Sequence, residues 1–262
     1  MPSTAKLIEL FSAIQGEGID IGTRQIFIRF ARCDLRCHFC DSAHTWHIPD
    51  TCRIEQTPGM RDFQTQNNPA TLDRLLEWVR WQNIPGLHDS ISLTGGEPLL
   101  QAPFLIEFLP QVRHVTGLPI YLETGGHRPK QLDSILPYLD SVGMDVKLPS
   151  VSGETWWSQH RECLQLCDRA GVKVFVKMIV GDRANPDELL EAAQLVGDVN
   201  PEIPLILQPV TPLAPEAISK HRQLQTLAPP SPARVLEWQA SMKRHVKHVR
   251  AIPQTHKMLN QL

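Results

Sequence analysis

The chain has 262 residues, 42% of them hydrophobic in type, and a formal net charge of −2. A chain this long can bury one large α/β core. The near-neutral balance excludes general nucleic-acid binding through a strongly basic surface. There is no apolar run of membrane-spanning length, and residues 1–6 carry no secretory pattern. Neither nucleic acid nor membrane is therefore expected as a partner, and a cytoplasmic location is expected. Six cysteines in a chain of this size do not make a disulfide scaffold, and free thiols fit a reducing compartment.

In chain order, the first strand predicted from β-branched and apolar residues is Gln25–Phe30. It runs into Cys33, Cys37 and Cys40, spaced C-x3-C-x2-C. Three thiolates on one loop can hold three corners of a four-iron cluster and leave the fourth iron open to a small molecule. A cluster used only for electron transfer normally has four protein thiolates, so the spacing suggests chemistry at the cluster. A structural zinc site with His38, His44 or His47 as fourth ligand is the competing reading.

The segment 47–70 is polar and without period, and reads as an insertion or mobile loop. A helix is predicted over Thr71–Trp81, with Leu72, Leu75, Leu76 and Val79 on one face and Thr71 as cap. Strand Ser90–Thr94 ends in Gly95-Gly96-Glu97-Pro98. Paired glycines there let the backbone approach a ligand, although a plain strand-to-helix turn has the same composition. Helix Pro103–Val115, strand Leu118–Glu123, helix Lys130–Leu139, strand Ser141–Lys147, helix Thr155–Ala170, strand Val172–Val180, helix Pro186–Val196 and strand Ile203–Val210 follow. Cys163 and Cys167, at i and i+4, read as buried small apolar residues, and Trp156-Trp157 as packing or a subunit contact. A Pro-rich linker from residue 228 precedes helix Arg234–Arg244 and a short docked tail, so 228–262 reads as linker, last helix and tail of a single domain, 1–262. Strand–helix alternation implies a parallel sheet with right-handed crossovers. Six units predict an α/β fold of the partial (β/α)6, TIM-like barrel type, with functional residues at the C-terminal strand ends.

The cysteine loop after the first strand and Gly-Gly-Glu after the second resemble the radical S-adenosylmethionine (SAM) superfamily. Further motifs resemble the 7-carboxy-7-deazaguanine synthase family: Phe11-Ser12-Ala13-Ile14-Gln15-Gly16-Glu17-Gly18, Phe27-Ile28-Arg29-Phe30, Cys40-Asp41-Ser42, Leu122-Glu123-Thr124-Gly125-Gly126, Met144-Asp145-Val146-Lys147, Leu207-Gln208-Pro209-Val210 and Pro253-Gln254-Thr255-His256-Lys257. The matches span nearly the whole chain, and the Gln-Gly-Glu-Gly start with the Gln-x-His-Lys end is far more specific than the cysteine motif.

The resemblance implies a lyase that converts 6-carboxy-5,6,7,8-tetrahydropterin to 7-carboxy-7-deazaguanine and ammonia, on the route to queuosine-type nucleosides. A 5′-deoxyadenosyl radical takes hydrogen from C6 and later returns it, so SAM is reused. The implied cofactors are a [4Fe-4S] cluster on Cys33, Cys37 and Cys40, SAM, and Mg2+ on Ser42, where the family usually has Thr. Implied SAM contacts are Phe39, Cys40, Asp41, Gly96, Glu97, Asp145, Val146, Lys147 and Gln208. Implied substrate contacts are Ile14, Gln15, Gly16, Glu17, Arg29, Thr94, Glu123, His256 and Leu262. Taken alone, Glu17 reads as a turn carboxylate, Arg29 as an exposed strand charge and Ser42 as a helix cap. Arg32 stands where the family commonly has glycine. A flavodoxin-type electron donor and a homodimer complete the implied partners, with the basic stretch 243–250 as a candidate donor surface or a merely solvated face. A radical SAM activase acting on a protein shares the cysteine and Gly-Gly-Glu motifs but not the two terminal ones.

Overall fold

The computed structural model describes residues 3–259 and residue 261. Its twelve described strands are β1 (Thr4–Ala5), β2 (Leu7–Ile14), β3 (Arg24–Phe30), β4 (Thr51–Glu55), β5 (Phe63–Asn67), β6 (Ala70–Thr71), β7 (Ser90–Gly95), β8 (Ile120–Thr124), β9 (Ser141–Asp145), β10 (Lys173–Val180), β11 (Leu205–Pro209) and β12 (Val249–Ala251). Ten form one open sheet in the order β12-β11-β10-β9-β8-β7-β3-β2-β4-β5, and β1 pairs with β6 apart from it.

From β3 through β7 to β12 every neighbouring pair is parallel. The six strands read from the sequence are the parallel set β3 and β7–β11, and the intervening helices make the crossovers. The fold is α/β, with the large parallel sheet of a partial barrel.

Alternation along β3 sets the two faces. Ile26, Ile28 and Phe30 join the main core with Leu75, Trp78 and Val79 of helix Leu72–Gln82. Phe27 and Arg29 face the opposite side. Each large apolar side chain buried in this way contributes about 1.5–3 kcal/mol. Thr71 caps that helix, accepting a hydrogen bond from Arg74 N at 3.3 Å. Cys163 and Cys167 lie fully buried on helix Trp157–Ala170, and burial pushes both thiols up. Trp157 packs against the core.

Six of the described strands escaped the sequence reading, two of them the two-residue pair β1 and β6. β2, antiparallel to β3, hides in a motif read for chemistry. The segment 47–70 holds β4 and β5, an antiparallel hairpin that joins β2 and lengthens the sheet. β5 is polar and largely exposed, and in β4 only Cys52 and Ile54 alternate inward, too short an apolar pattern to signal a strand. β12 is too short to signal itself. No described helix is long and apolar enough to cross a membrane.

Candidate active site

A cavity of about 680 Å³ opens at the C-terminal ends of the parallel strands. Thr94, Thr124, Asp145 and Gln208, each at the end of its own strand, meet in its wall. Cys33, Cys37 and Cys40 line the same cavity, and all three are free thiols. Burial pushes Cys33 and Cys40 up to about 12 and raises Cys37 as well. A thiolate is stable in such surroundings only beside compensating positive charge, as bound iron supplies. Among the described residues no three His, Cys, Asp or Glu side chains converge on one metal ion. A four-iron cluster places no such demand, since each thiolate takes its own iron.

The loop carrying the thiols is held from several sides. Arg32 enters it in a left-handed conformation, φ 78°, where glycine is the usual residue. Its N–H donates to Thr45 O at 2.6 Å, and its carbonyl accepts from Glu97 N at 3.0 Å. Gly96 has no room for a side chain: a Cβ there would lie 2.5 Å from Arg32 C and 2.9 Å from Cys33 N. Gly-Gly therefore lets the end of β7 lie directly on the cysteine loop. On the far side Asp34 pairs with His127 Nε2 at 3.0 Å and with Arg128. Burial opposes the Asp34 charge, but these two partners outweigh it and hold the carboxyl well below its usual range.

Glu97 is 1% exposed and accepts from Leu99 N, Thr124 Oγ1 and Gly125 N at 2.9–3.0 Å. Lys147 pairs with Asp145 Oδ2 at 2.8 Å and lies 5.4 Å from the Phe39 ring centre. Burial works against the Lys147 ammonium, yet the Asp145 carboxylate prevails and holds its pKa above the lysine range. Asp145 Oδ1 and both polar atoms of the fully buried Gln208 have no partner among the described residues. Buried polar groups are normally satisfied, so these three atoms mark where the cavity wall fits a polar ligand.

The opposite end of the cavity is a second charged network. Gln15 donates to Glu123 Oε1 at 2.9 Å and to Gln25 Oε1 at 3.1 Å, and Thr94 Oγ1 donates to Glu123 Oε2 at 2.7 Å. Glu17 pairs with Lys177 and accepts from Gln254 Nε2 at 2.7 Å. Burial raises the Glu17 pKa, but Lys177 outweighs it and the net shift is downward. Arg29 donates through Nε to Glu9 Oε1 at 2.8 Å. His44, also in the wall, is held below its ordinary pKa by burial and then by Arg29.

The C-terminal tail straps this end. Thr255 N donates to Gly16 O at 3.0 Å, Gln254 bridges Glu17 and Asp41, and Lys257 Nζ sits 2.7 Å from Asp41 Oδ2. His256 covers Gly16, where a Cβ would lie 2.5 Å from His256 N. Burial lowers the His256 pKa. Ser42 lines the cavity, and its hydroxyl makes no cap bond to the turn Ala43–Trp46. It donates instead to Asp41 Oδ1 at 3.2 Å. The capping alternative for Ser42 does not hold.

All the sequence-derived site residues except two lie in this one wall: Ile14, Gln15, Gly16, Glu17, Arg29, Phe39, Asp41, Ser42, Thr94, Gly96, Glu97, Glu123, Asp145, Lys147, Gln208 and His256, with the three cysteines. Val146 is one exception: its side chain is buried in the main core and its N–H donates to Lys177 O at 2.9 Å. Leu262 lies outside the described residues. Sequence reasoning missed Lys177, Glu9 and Arg53, all in the wall. A lysine inside the apolar run Val172–Val180 was the available signal for Lys177. In the basic stretch, Lys247 and His248 both pair with Glu202, which tempers its charge.

Residues 27–196 match the radical SAM superfamily. Over 98% of both chains the protein is 45% identical to the 7-carboxy-7-deazaguanine synthase of Geobacter sulfurreducens. It is 31% identical to the synthase of Thermococcus kodakarensis, over 79% of this chain and 84% of that one. Two solved structures share the fold. QueE from Escherichia coli has a TM-score of 0.53 at 19% identity, over 87% of this chain and 95% of that one. A radical SAM methyltransferase from Sphaerobacter thermophilus has a TM-score of 0.60 at 12% identity, over 94% and 77%. With three free thiols and the Gly-Gly-Glu turn in one cavity, and near-full-length identity of this size, the chain belongs to the 7-carboxy-7-deazaguanine synthase family of the radical SAM superfamily.

Proposed function

We propose that the protein is a lyase that converts 6-carboxy-5,6,7,8-tetrahydropterin to 7-carboxy-7-deazaguanine with loss of ammonia, in queuosine-type 7-deazapurine biosynthesis. One observation carries this: a single cavity joins the three cysteines to the Gln15–Glu17, Arg29 and His256 network. Bound together, the [4Fe-4S] cluster and SAM supply hydrogen abstraction by a carbon radical.

The chain's own residues hold, orient and enclose. Cys33, Cys37 and Cys40 take the cluster. Glu97, already fixed by Thr124 and Gly125, presents negative charge to the SAM amino group. Asp145, Lys147 and Gln208 offer the unpaired polar atoms and the cation that match its ribose and carboxylate. Arg29 receives the substrate carboxylate, since a guanidinium fork suits that geometry. Gln15, Glu17, Thr94 and Glu123 frame the pterin ring, and the tail around His256 excludes water from that end. Ser42 Oγ would contribute one oxygen ligand to a bound Mg2+, a hard cation that takes oxygen donors.

The reading extends to a flavodoxin-type one-electron donor and a homodimer, both drawn from the family. It also takes the chain as one domain, on the strength of one ten-stranded sheet and one main core, and places it in a reducing cytoplasm, in keeping with its free thiols. The test is anaerobic incubation of the reconstituted protein with SAM, reductant, Mg2+ and the carboxytetrahydropterin, followed by mass spectrometry. Formation of 7-carboxy-7-deazaguanine supports the reading. 5′-Deoxyadenosine without that product, from substrate-saturated enzyme, contradicts it.

A further inference from the structure

Arg29, Glu9 and Arg53 form one row across three neighbouring strands. Glu9 on β2 stands opposite Arg29 on β3 in the antiparallel register and opposite Arg53 on β4 in the parallel one. All three line the cavity. Glu9 is 4% exposed and divides its carboxylate: Oε1 takes Arg29 Nε at 2.8 Å, and Oε2 takes Arg53 Nη2. Each guanidinium also lies over an aromatic ring, Arg29 at 5.4 Å from the Phe11 centre and Arg53 at 4.7 Å from that of Phe63. Phe11 in turn stacks on Phe27 at 5.1 Å.

We infer that Arg53, supplied by the β4–β5 hairpin, is a positioning and specificity residue for the substrate carboxylate, acting through Glu9 on Arg29. This rests on the reading that Arg29 receives that carboxylate. A buried carboxylate beside Arg29 is a competitor for it. With Arg29 as its sole partner, Glu9 would cancel the guanidinium charge. Turning Arg29 toward a ligand would then leave Glu9 buried and unpaired, which is strongly unfavourable. Arg53 removes both difficulties. Two arginines against one glutamate leave the row one positive charge, matched to one incoming carboxylate. Glu9 stays paired through Oε2 while its Oε1 fixes Arg29 by Nε, so the terminal nitrogens of Arg29 can serve the ligand. The hairpin thus tunes the pocket for a carboxylated pterin over the same ring without the carboxylate.

The test uses the reconstituted holoenzyme under anaerobic conditions. KM and kcat are measured for the carboxytetrahydropterin, together with the inhibition constant of tetrahydropterin lacking the carboxylate. The variants are Arg53→Ala, Arg53→Lys, the double variant Arg53→Ala with Glu9→Gln, and Arg29→Ala as reference. In Arg53→Ala, KM is expected to rise on the order of tenfold, the size of one charge-assisted hydrogen bond. kcat should stay within about twofold and the inhibition constant of the carboxylate-free ligand unchanged. Arg53→Lys should keep most of the parent KM. The double variant should recover toward the parent, because neutralising Glu9 frees Arg29 by another route. An unchanged KM in Arg53→Ala overturns the inference. So does an equal loss for both ligands, or a double variant worse than the single one, since each describes a residue that merely holds the hairpin. If Arg29→Ala leaves KM unchanged, the carboxylate reading of Arg29 fails and this inference falls with it. If Arg29→Ala raises KM and Arg53→Ala does not, only the inference fails.

Discussion

Replacing Gly16 with alanine adds one methyl where the tail crosses the cavity. That Cβ would lie 2.5 Å from His256 N, and nearer still to His256 Cβ and Nδ1. Two of these three atoms are backbone or Cβ, so a rotamer change cannot clear the overlap. The tail must lift, and with it go Thr255 N to Gly16 O, both Gln254 bonds and the Lys257–Asp41 pair. Partly exposed contacts of this kind are each worth a fraction of a kcal/mol to about 1 kcal/mol. Their joint contribution is about 2 kcal/mol, so the undocked fraction should grow roughly 30-fold. Limited trypsinolysis followed by mass spectrometry reads this directly, as cleavage after Lys257 and loss of the peptide 258–262. The thermal midpoint of the whole protein should move little, because the core is untouched. Substrate KM should rise, while SAM cleavage without substrate persists. If cleavage after Lys257 is as slow as in the parent, the tail is not held in the way described.

Arg29→Lys keeps the charge but loses the fork, and substrate affinity should fall by about 1–3 kcal/mol. An unchanged substrate KM would refute that role. Ser42→Ala should lose the stimulation of activity by Mg2+, and Ser42→Thr should keep it. An identical Mg2+ response in Ser42→Ala at saturating substrate places the metal elsewhere. His160, fully buried, accepts from Lys147 N and faces Gly126 O at 2.9 Å, and burial pushes its pKa down to about 4 from 6.5. The unfolded chain takes up that proton near pH 6.5 and the folded one only near 4. Stability is therefore full above pH 6.5 and falls as pH drops through this window, by up to about 1.4 kcal/mol per unit. Urea unfolding of the cluster-free protein should show this slope, and His160→Asn should flatten it; parallel slopes in the two proteins would rule out His160 as the source.

The parallel half of the sheet was legible because each buried strand is a short apolar run between periodic helices, from Gln25–Phe30 to Ile203–Val210. The site was legible where a residue is chemically odd for its place, as with three cysteines on a loop or paired glycines before a glutamate, whereas Arg29 taken alone reads as a strand charge and was placed in the site by the family resemblance. It was illegible where function depends on register. Nothing in the polar hairpin announces that Arg53 lies beside Glu9, since that pairing exists only once β2, β3 and β4 are side by side. Lys177 was hidden for a related reason: its partner Glu17 is remote in sequence. Val146, next to Asp145 and Lys147 in one motif, puts its side chain in the core rather than in the cavity wall, which the motif alone does not distinguish.

The central claim is that this cavity abstracts and returns one hydrogen at C6 of a carboxylated tetrahydropterin. The most direct measurement is turnover of substrate deuterated at C6, under anaerobic conditions, with SAM recovered afterwards and compared with the product by mass spectrometry. The expected result is 7-carboxy-7-deazaguanine in excess over the SAM supplied, with deuterium in the 5′-methylene of the recovered SAM. Product with no label in the recovered SAM, or product limited to one per SAM consumed, would contradict the account.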